Sequence, residues 1–138
     1  MKVDPYLNFE GRCEEALEFY KKAVGAKVEM MMRCKEAPDP GQIKPGLEDK
    51  ILHSSFKVGD STIMATDGYN QNKTNFAGIS LALSAKNETE AKRLFDALAD
   101  GGQVKMQLTK TFFSPAFGML ADKFGVPWMV VARDPQRA

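Results

Sequence analysis

His53 is the only histidine in the chain, so imidazole chemistry near neutral pH has one place to occur. It lies in ILHSSFKV (51–58), which with STIMATD (61–67) flanks Gly59-Asp60, the pattern of a β-hairpin. Strand alternation in that register sets Ser55 opposite Met64 and His53 opposite Thr66 on one face. Such a group could anchor a ligand or supply a general base (candidate His53), or the histidine could be a hydrogen-bonded structural residue. A second methionine, Met129, takes a similar place in GVPWMVVARD (125–134), next to the only tryptophan. Unbranched thioethers fill irregular gaps, so Met64 and Met129, with Met30 to Met32, Met106 and Met119, suit a core or an adaptable pocket lining.

Other chemistries are poorly represented. No GxxxxGK[ST], GxGxxG, HExxH or CxxC occurs, which argues against nucleotide, dinucleotide or zinc-protease sites of those kinds. Cys13 and Cys34 lack the close Cys/His spacing of a zinc site and read as reduced packing thiols. Lys and Arg number 19 against 18 Asp and Glu, with no basic run, so no nucleic acid partner is expected. No stretch is apolar over ~20 residues and MKVDPYLNFEG does not read as a signal peptide, so the expectation is a cytoplasmic protein without a membrane partner. Asn72-Lys-Thr and Asn87-Glu-Thr match the glycosylation pattern but carry little weight in a chain that is not secreted.

The elements that would position these residues follow from periodicity. At 138 residues a single domain is expected, able to bury roughly 68% of its unfolded surface. VDPYLNF (3–9) is strand-like, and apolar positions 13, 16, 17, 20 and 24 predict an amphipathic helix with Glu14 and Glu15 at its start, Lys21 and Lys22 near its end and Gly25 as its stop. KVEMMMRC (27–34) reads as a strand, and EAPDPGQIKPGLE (36–48) as an exposed loop, a lid or dimer arm. After the hairpin the plan repeats: GISLALS (78–84) as a strand, a helix opened by Asn87 with Glu90 as a capping box and closed by Gly101-Gly102, then QVKMQL (103–108), PAFGMLA (115–121) and VPWMVVA (126–132). Asp67 and Asp122 read as turn formers. EEALEFYKKAVG (14–25) matches TEAKRLFDALADGG (89–102) in pattern, and Met64 falls over Met129. The chain is βαβββ written twice, an α+β fold with module 1 at about 1–70 and module 2 at about 75–138.

This plan, with YLNFEGRCEEALEFYKKAVGA (6–26), ILHSSFKVGDSTIMATD (51–67) and FGMLADKFGVPWMV (117–130), resembles the vicinal oxygen chelate superfamily of glyoxalases, bleomycin-resistance proteins and extradiol dioxygenases, and within it the PhnB-like branch. The resemblance implies a curved mixed sheet around a cavity, helices on the outer face and a homodimer. In metal-using members, His or Glu on the first and last strand of each module bind a divalent ion. Carried over by position, these ligands fall on Met64 and Met129, on Ser80, and near Asp4 or Tyr6. Thioether and hydroxyl are poor ligands for such ions, so no metal and no cofactor are expected.

Alternation then assigns the cavity lining. Tyr6, Asn8, His53, Ser55, Met64, Thr66, Ser80 and Met129 are the expected ligand-binding residues, with Ala82, Gly118, Leu120 and Val131 on the same face. Leu7, Phe9, Ile63, Ala65, Ile79, Leu81, Leu83 and Trp128 would pack under the helices. The function implied is metal-free binding of a small organic molecule. One alternative is a metal-dependent lyase, isomerase or oxygenase with a shifted site at His53 using Asp4, Tyr6 or Asp67; another is a partner protein working through its dimer surface. Some relatives of the branch carry the label demethylubiquinone methyltransferase, yet no glycine-rich strand–helix turn for S-adenosylmethionine is present.

Overall fold

The structure, a computed structural model, describes residues 1–38, 45–68 and 74–134. The chain divides into two compact units, Met1–Thr74 and Asn75–Ala138. In the first, the order is β1 (Tyr6–Asn8), α1 (Cys13–Val24), β2 (Lys27–Arg33), a short 3-10 turn (Cys34–Glu36), β3 (Ile51–Val58) and β4 (Ser61–Thr66). The second repeats it with β5 (Leu81–Ala85), α2 (Glu88–Ala99), β6 (Gln103–Thr109), β7 (Phe117–Ala121) and β8 (Pro127–Ala132). Each unit has a four-stranded mixed sheet, ordered β1-β4-β3-β2 and β5-β8-β7-β6. The first strand of each sheet runs parallel to the last, and the other neighbours are antiparallel. This is the expected α+β plan of two βαβββ modules. Within the 36–48 loop, residues 39–44 lie outside the described residues, as does Asn72. Among the described residues no helix is long and apolar enough to cross a membrane.

Helix α1 forms where its periodicity predicts, burying Cys13, Ala16, Leu17, Tyr20 and Ala23 and ending at Gly25 in the left-handed conformation (φ 69°). Tyr20 is fully buried and stacks on Phe56 of β3 at 5.7 Å between ring centres. Burying a side chain of this size contributes roughly 1.5–3 kcal/mol, so this helix stripe is what holds α1 to its sheet. Glu14 adds a forked bond to Arg33 at 2.7 and 3.1 Å, which holds its carboxyl below the usual range; solvent screens the pair, so it adds little to the docking of α1.

The start of α1 is capped from far away. Arg12 makes no side-chain cap; instead the buried Asp67 carboxylate accepts from Cys13 N and from Ile51 N, both at 2.7 Å. Asp67 therefore ties helix, β3 and the end of β4 together, a larger role than forming a turn. Asp122 behaves alike in the second unit, accepting from Phe124 N, Val126 N and Trp128 Nε1 at 2.9–3.1 Å. In α2, Asn87 Oδ1 caps Glu90 N at 2.8 Å, while Glu90 reaches back one residue further than a capping box, to Lys86 N at 3.1 Å.

Two expectations are corrected by register. The fifth strand begins at Leu81, paired with Trp128, because Gly78 adopts a left-handed turn conformation (φ 78°); Ile79 and Ser80 precede the strand, and Ile79 is exposed rather than under a helix. In β7, Met119 pairs with Met129 and Gly118 with Val130. Gly118 and Leu120 thus lie on the helix side, where a Cβ on Gly118 would meet the Phe95 ring at 2.6 Å, and Phe117 and Met119 share the face of Met129.

Asp67→Ala strands two buried N–H groups and is expected to cost about 3 kcal/mol, read as the shift in urea unfolding; a loss below about 1 kcal/mol, the worth of one ordinary hydrogen bond, would show that water replaces the carboxylate. Burial pushes the Cys13 thiol from 9.0 up to about 12; Ser54 opposes this, and the Asp67 and Glu14 charges reinforce it. Since the folded value is the higher one, the thiol's contribution to stability is whole below about pH 9 and is lost as the pH rises towards 12. Cys13→Ala is expected to flatten the fall in unfolding free energy above pH 9, and an unchanged slope would refute this assignment.

Candidate functional site

The face of the first sheet turned away from α1 collects most of the expected residues. Leu7, Ser54, Phe56, Ile63 and Ala65 are buried on the helix side, so their neighbours along each strand point the other way. Register sets Tyr6 beside Met64 and Asn8 beside Thr66 across β1 and β4, Ser55 opposite Met64 across β3 and β4, and Met30 opposite Ser55 and Met32 opposite His53 across β2 and β3. The result is a partly exposed surface of one imidazole, one phenol, hydroxyls and three thioethers.

Tyr6 reaches diagonally across this surface, placing its Oη 3.0 Å from His53 Nδ1, with ring centres 5.5 Å apart. The phenol is 50% exposed, so the pair is open to a ligand from its free side. The phenol both donates and accepts, and so can pin either neutral tautomer of the imidazole. Asn8 and Thr66 are already engaged. The Asn8 amide brackets Glu10, accepting from its N–H at 2.9 Å and donating to its carboxylate at 2.8 Å. Thr66 Oγ1 donates to the Leu52 carbonyl at 2.7 Å and accepts from Gly68 N at 3.1 Å. These two shape the rim, while Tyr6, His53 and Ser55 remain the groups with polar capacity to offer.

Ser80 and Met129 belong to the second unit. Ser80 is exposed and precedes β5, off the strand on which the resemblance had set it. Met129 sits in a row with Met119 and Met106 across β8, β7 and β6. The thioethers at 30 and 32 complete the first-unit face; strict alternation from Val28, which pairs with the buried Phe56, would put them on the helix side, and the irregularity between Val28 and Met30 turns them over.

A divalent metal of the kind used in the superfamily does not fit. The positions to which the resemblance points carry Asp4 or Tyr6 and the Met64 thioether in the first unit, and among the described residues no three His, Cys, Asp or Glu side chains come together to hold an ion. Of the three partners considered for His53, Tyr6 alone bonds it; Asp67 is consumed by Cys13 and Ile51, and Asp4 pairs with Lys2 at 3.5 Å.

Comparison with known proteins agrees with this architecture. A family model described as 3-demethylubiquinone-9 3-methyltransferase matches residues 1–131. Protein YjdN of Escherichia coli (strain K12) is 35% identical, with 94% of each chain covered. Among solved structures, protein PA1353 from Pseudomonas aeruginosa is 38% identical with a TM-score of 0.81, covering 96% of this chain and 98% of its own. A Bacillus cereus protein described as a putative 3-demethylubiquinone-9 3-methyltransferase, PhnB protein, is 31% identical with a TM-score of 0.79, covering 96% and 99%. A glyoxalase-related enzyme from Fulvimarina pelagi, 16% identical over 96% of this chain and 88% of its own, shares the fold with a TM-score of 0.66. The chain therefore belongs to the family described as 3-demethylubiquinone-9 3-methyltransferase, a PhnB-like group with the glyoxalase and bleomycin-resistance fold.

Proposed function

We propose that the chain binds a small amphipathic organic molecule on the first-unit face, without a catalytic divalent ion. The observation that carries this reading is the Tyr6–His53 bond at 3.0 Å on a partly exposed sheet face whose apolar members are thioethers. Tyr6, His53 and Ser55 would take the polar end of the ligand, and Met30, Met32 and Met64 would adapt to its apolar part. Asn8 and Thr66 would hold the rim. The protein would act in the cytoplasm as a homodimer burying at least ~1,000 Å², and the exposed Phe112 and Phe113 are side chains such a contact could cover.

The same bond supports a second reading, an enzyme with its site at His53, because a phenol that fixes the tautomer prepares an imidazole for proton transfer. The methyl transfer named in the family description would need a bound methyl donor on this chain.

A thermal-shift panel of metabolites, including S-adenosylmethionine and a demethylated quinone, separates these readings. A ligand at a hundredfold excess over its Kd adds about 2.7 kcal/mol and should raise Tm by roughly 10 °C, with the gain reduced in Tyr6→Phe and His53→Ala. Zinc, nickel, manganese and ferrous iron should each leave Tm unchanged. A large stabilisation by one of these ions, lost in His53→Ala, would replace binding with the shifted-site enzyme; binding of S-adenosylmethionine would favour the methyltransferase.

A further inference from the structure

The substitutions that remove a divalent site leave a donor set of a different character. Met32 stands directly opposite His53; Met30 is opposite Ser55, which is in turn opposite Met64. Met30 and Met64 are therefore diagonal neighbours of His53, one on each side. Opposed side chains in a sheet lie about 5 Å apart at Cβ and diagonal ones about 7–8 Å, and unbranched thioethers span such gaps. None of the four side chains is fully buried, so an ion could reach them from solvent.

Thioether sulfur and neutral imidazole carry no charge and are soft to borderline donors. They suit Cu(I) and its analogue Ag(I), whereas carboxylate and water suit harder ions. Tyr6 adds the outer-shell partner that a ligating histidine needs. The phenol oxygen lies 3.0 Å from Nδ1; in the tautomer that carries its proton on Nδ1 and donates it to the phenol, Nε2 keeps its lone pair for the metal.

We propose that His53, Met32 and Met64, flanked by Met30, form a binding site for Cu(I). This goes beyond the organic-ligand reading and does not rest on it. Binding is a coordination step with no change of oxidation state. Met31 provides an internal control, since it lies on the same strand but pairs with Ser54 on the opposite face.

The test offers the full chain Cu(I) as its bicinchoninate complex under anaerobic reducing conditions. The protein should withdraw one equivalent. Met32→Leu/Met64→Leu should weaken binding markedly, Met31→Leu should not, and Tyr6→Phe should weaken it by about tenfold, as outer-shell losses do. Independently of any variant, Ag(I) should shift the Nε2 nitrogen resonance of His53. The proposal is overturned if no Cu(I) is withdrawn, if Met32→Leu/Met64→Leu binds as tightly as wild type, if the His53 resonance does not move, or if binding disappears only in Cys13→Ala/Cys34→Ala, which would put the ion on the thiols. A hit in the metabolite panel from a protein that ignores Cu(I) removes this proposal alone, and Cu(I) binding beside an empty panel removes the organic ligand alone.

Discussion

A carboxylate shared between a helix end and two strands fixes the geometry of the first module. Both oxygens of Asp67 accept buried backbone N–H groups at 2.7 Å, one from the first residue of α1 and one from the first residue of β3. The negative charge also sits where the helix dipole is positive. Once α1 is docked in this way, Leu17, Tyr20 and Phe56 close the core, and strand alternation leaves the other face to Tyr6, His53, Ser55 and the methionines. The second module reaches a comparable result by another route, with Asp122 gathering the turn between β7 and β8 and the Trp128 indole.

Much of this was legible in the residues, and what was not has local physical reasons. Helix α1 could be bounded because its stripe, its end charges and Gly25 agree. The β3–β4 register followed from a two-residue turn, which permits one pairing, Val58 with Ser61. Between β7 and β8 the connection runs over residues 122–126, and a loop of that length does not dictate which alternate residues face together; hence the exchange of Gly118 and Leu120 for Phe117 and Met119. Ser80 was assigned by likeness to a strand position, but the left-handed turn at Gly78 delays the strand to Leu81. The capping role of Asp67 spans 54 residues of sequence, a separation that no capping pattern reads.

The two modules keep one geometry and differ in chemistry. Met30, Ser55 and Met64 make a row across three strands of the first sheet, and Met106, Met119 and Met129 make the corresponding row in the second. The imidazole and its phenol partner occur in the first module alone; in the second, Ala82 stands beside Met129 in the place that Tyr6 takes beside Met64. Packing constraints act on the helix side of both sheets, and the faces turned away from the helices differ in their side chains.

The shortness of β1 has a further consequence. Three residues pair it to β4, helped by Met64 N to the Pro5 carbonyl and Phe9 N to the Thr66 carbonyl, each at 2.9 Å. A segment at the edge of a sheet with so few bonds opens locally at far lower free energy than the whole domain. Tyr6 rides on that segment, while His53 rides on an interior strand. The Tyr6–His53 bond therefore joins a short edge strand to one that is paired on both sides.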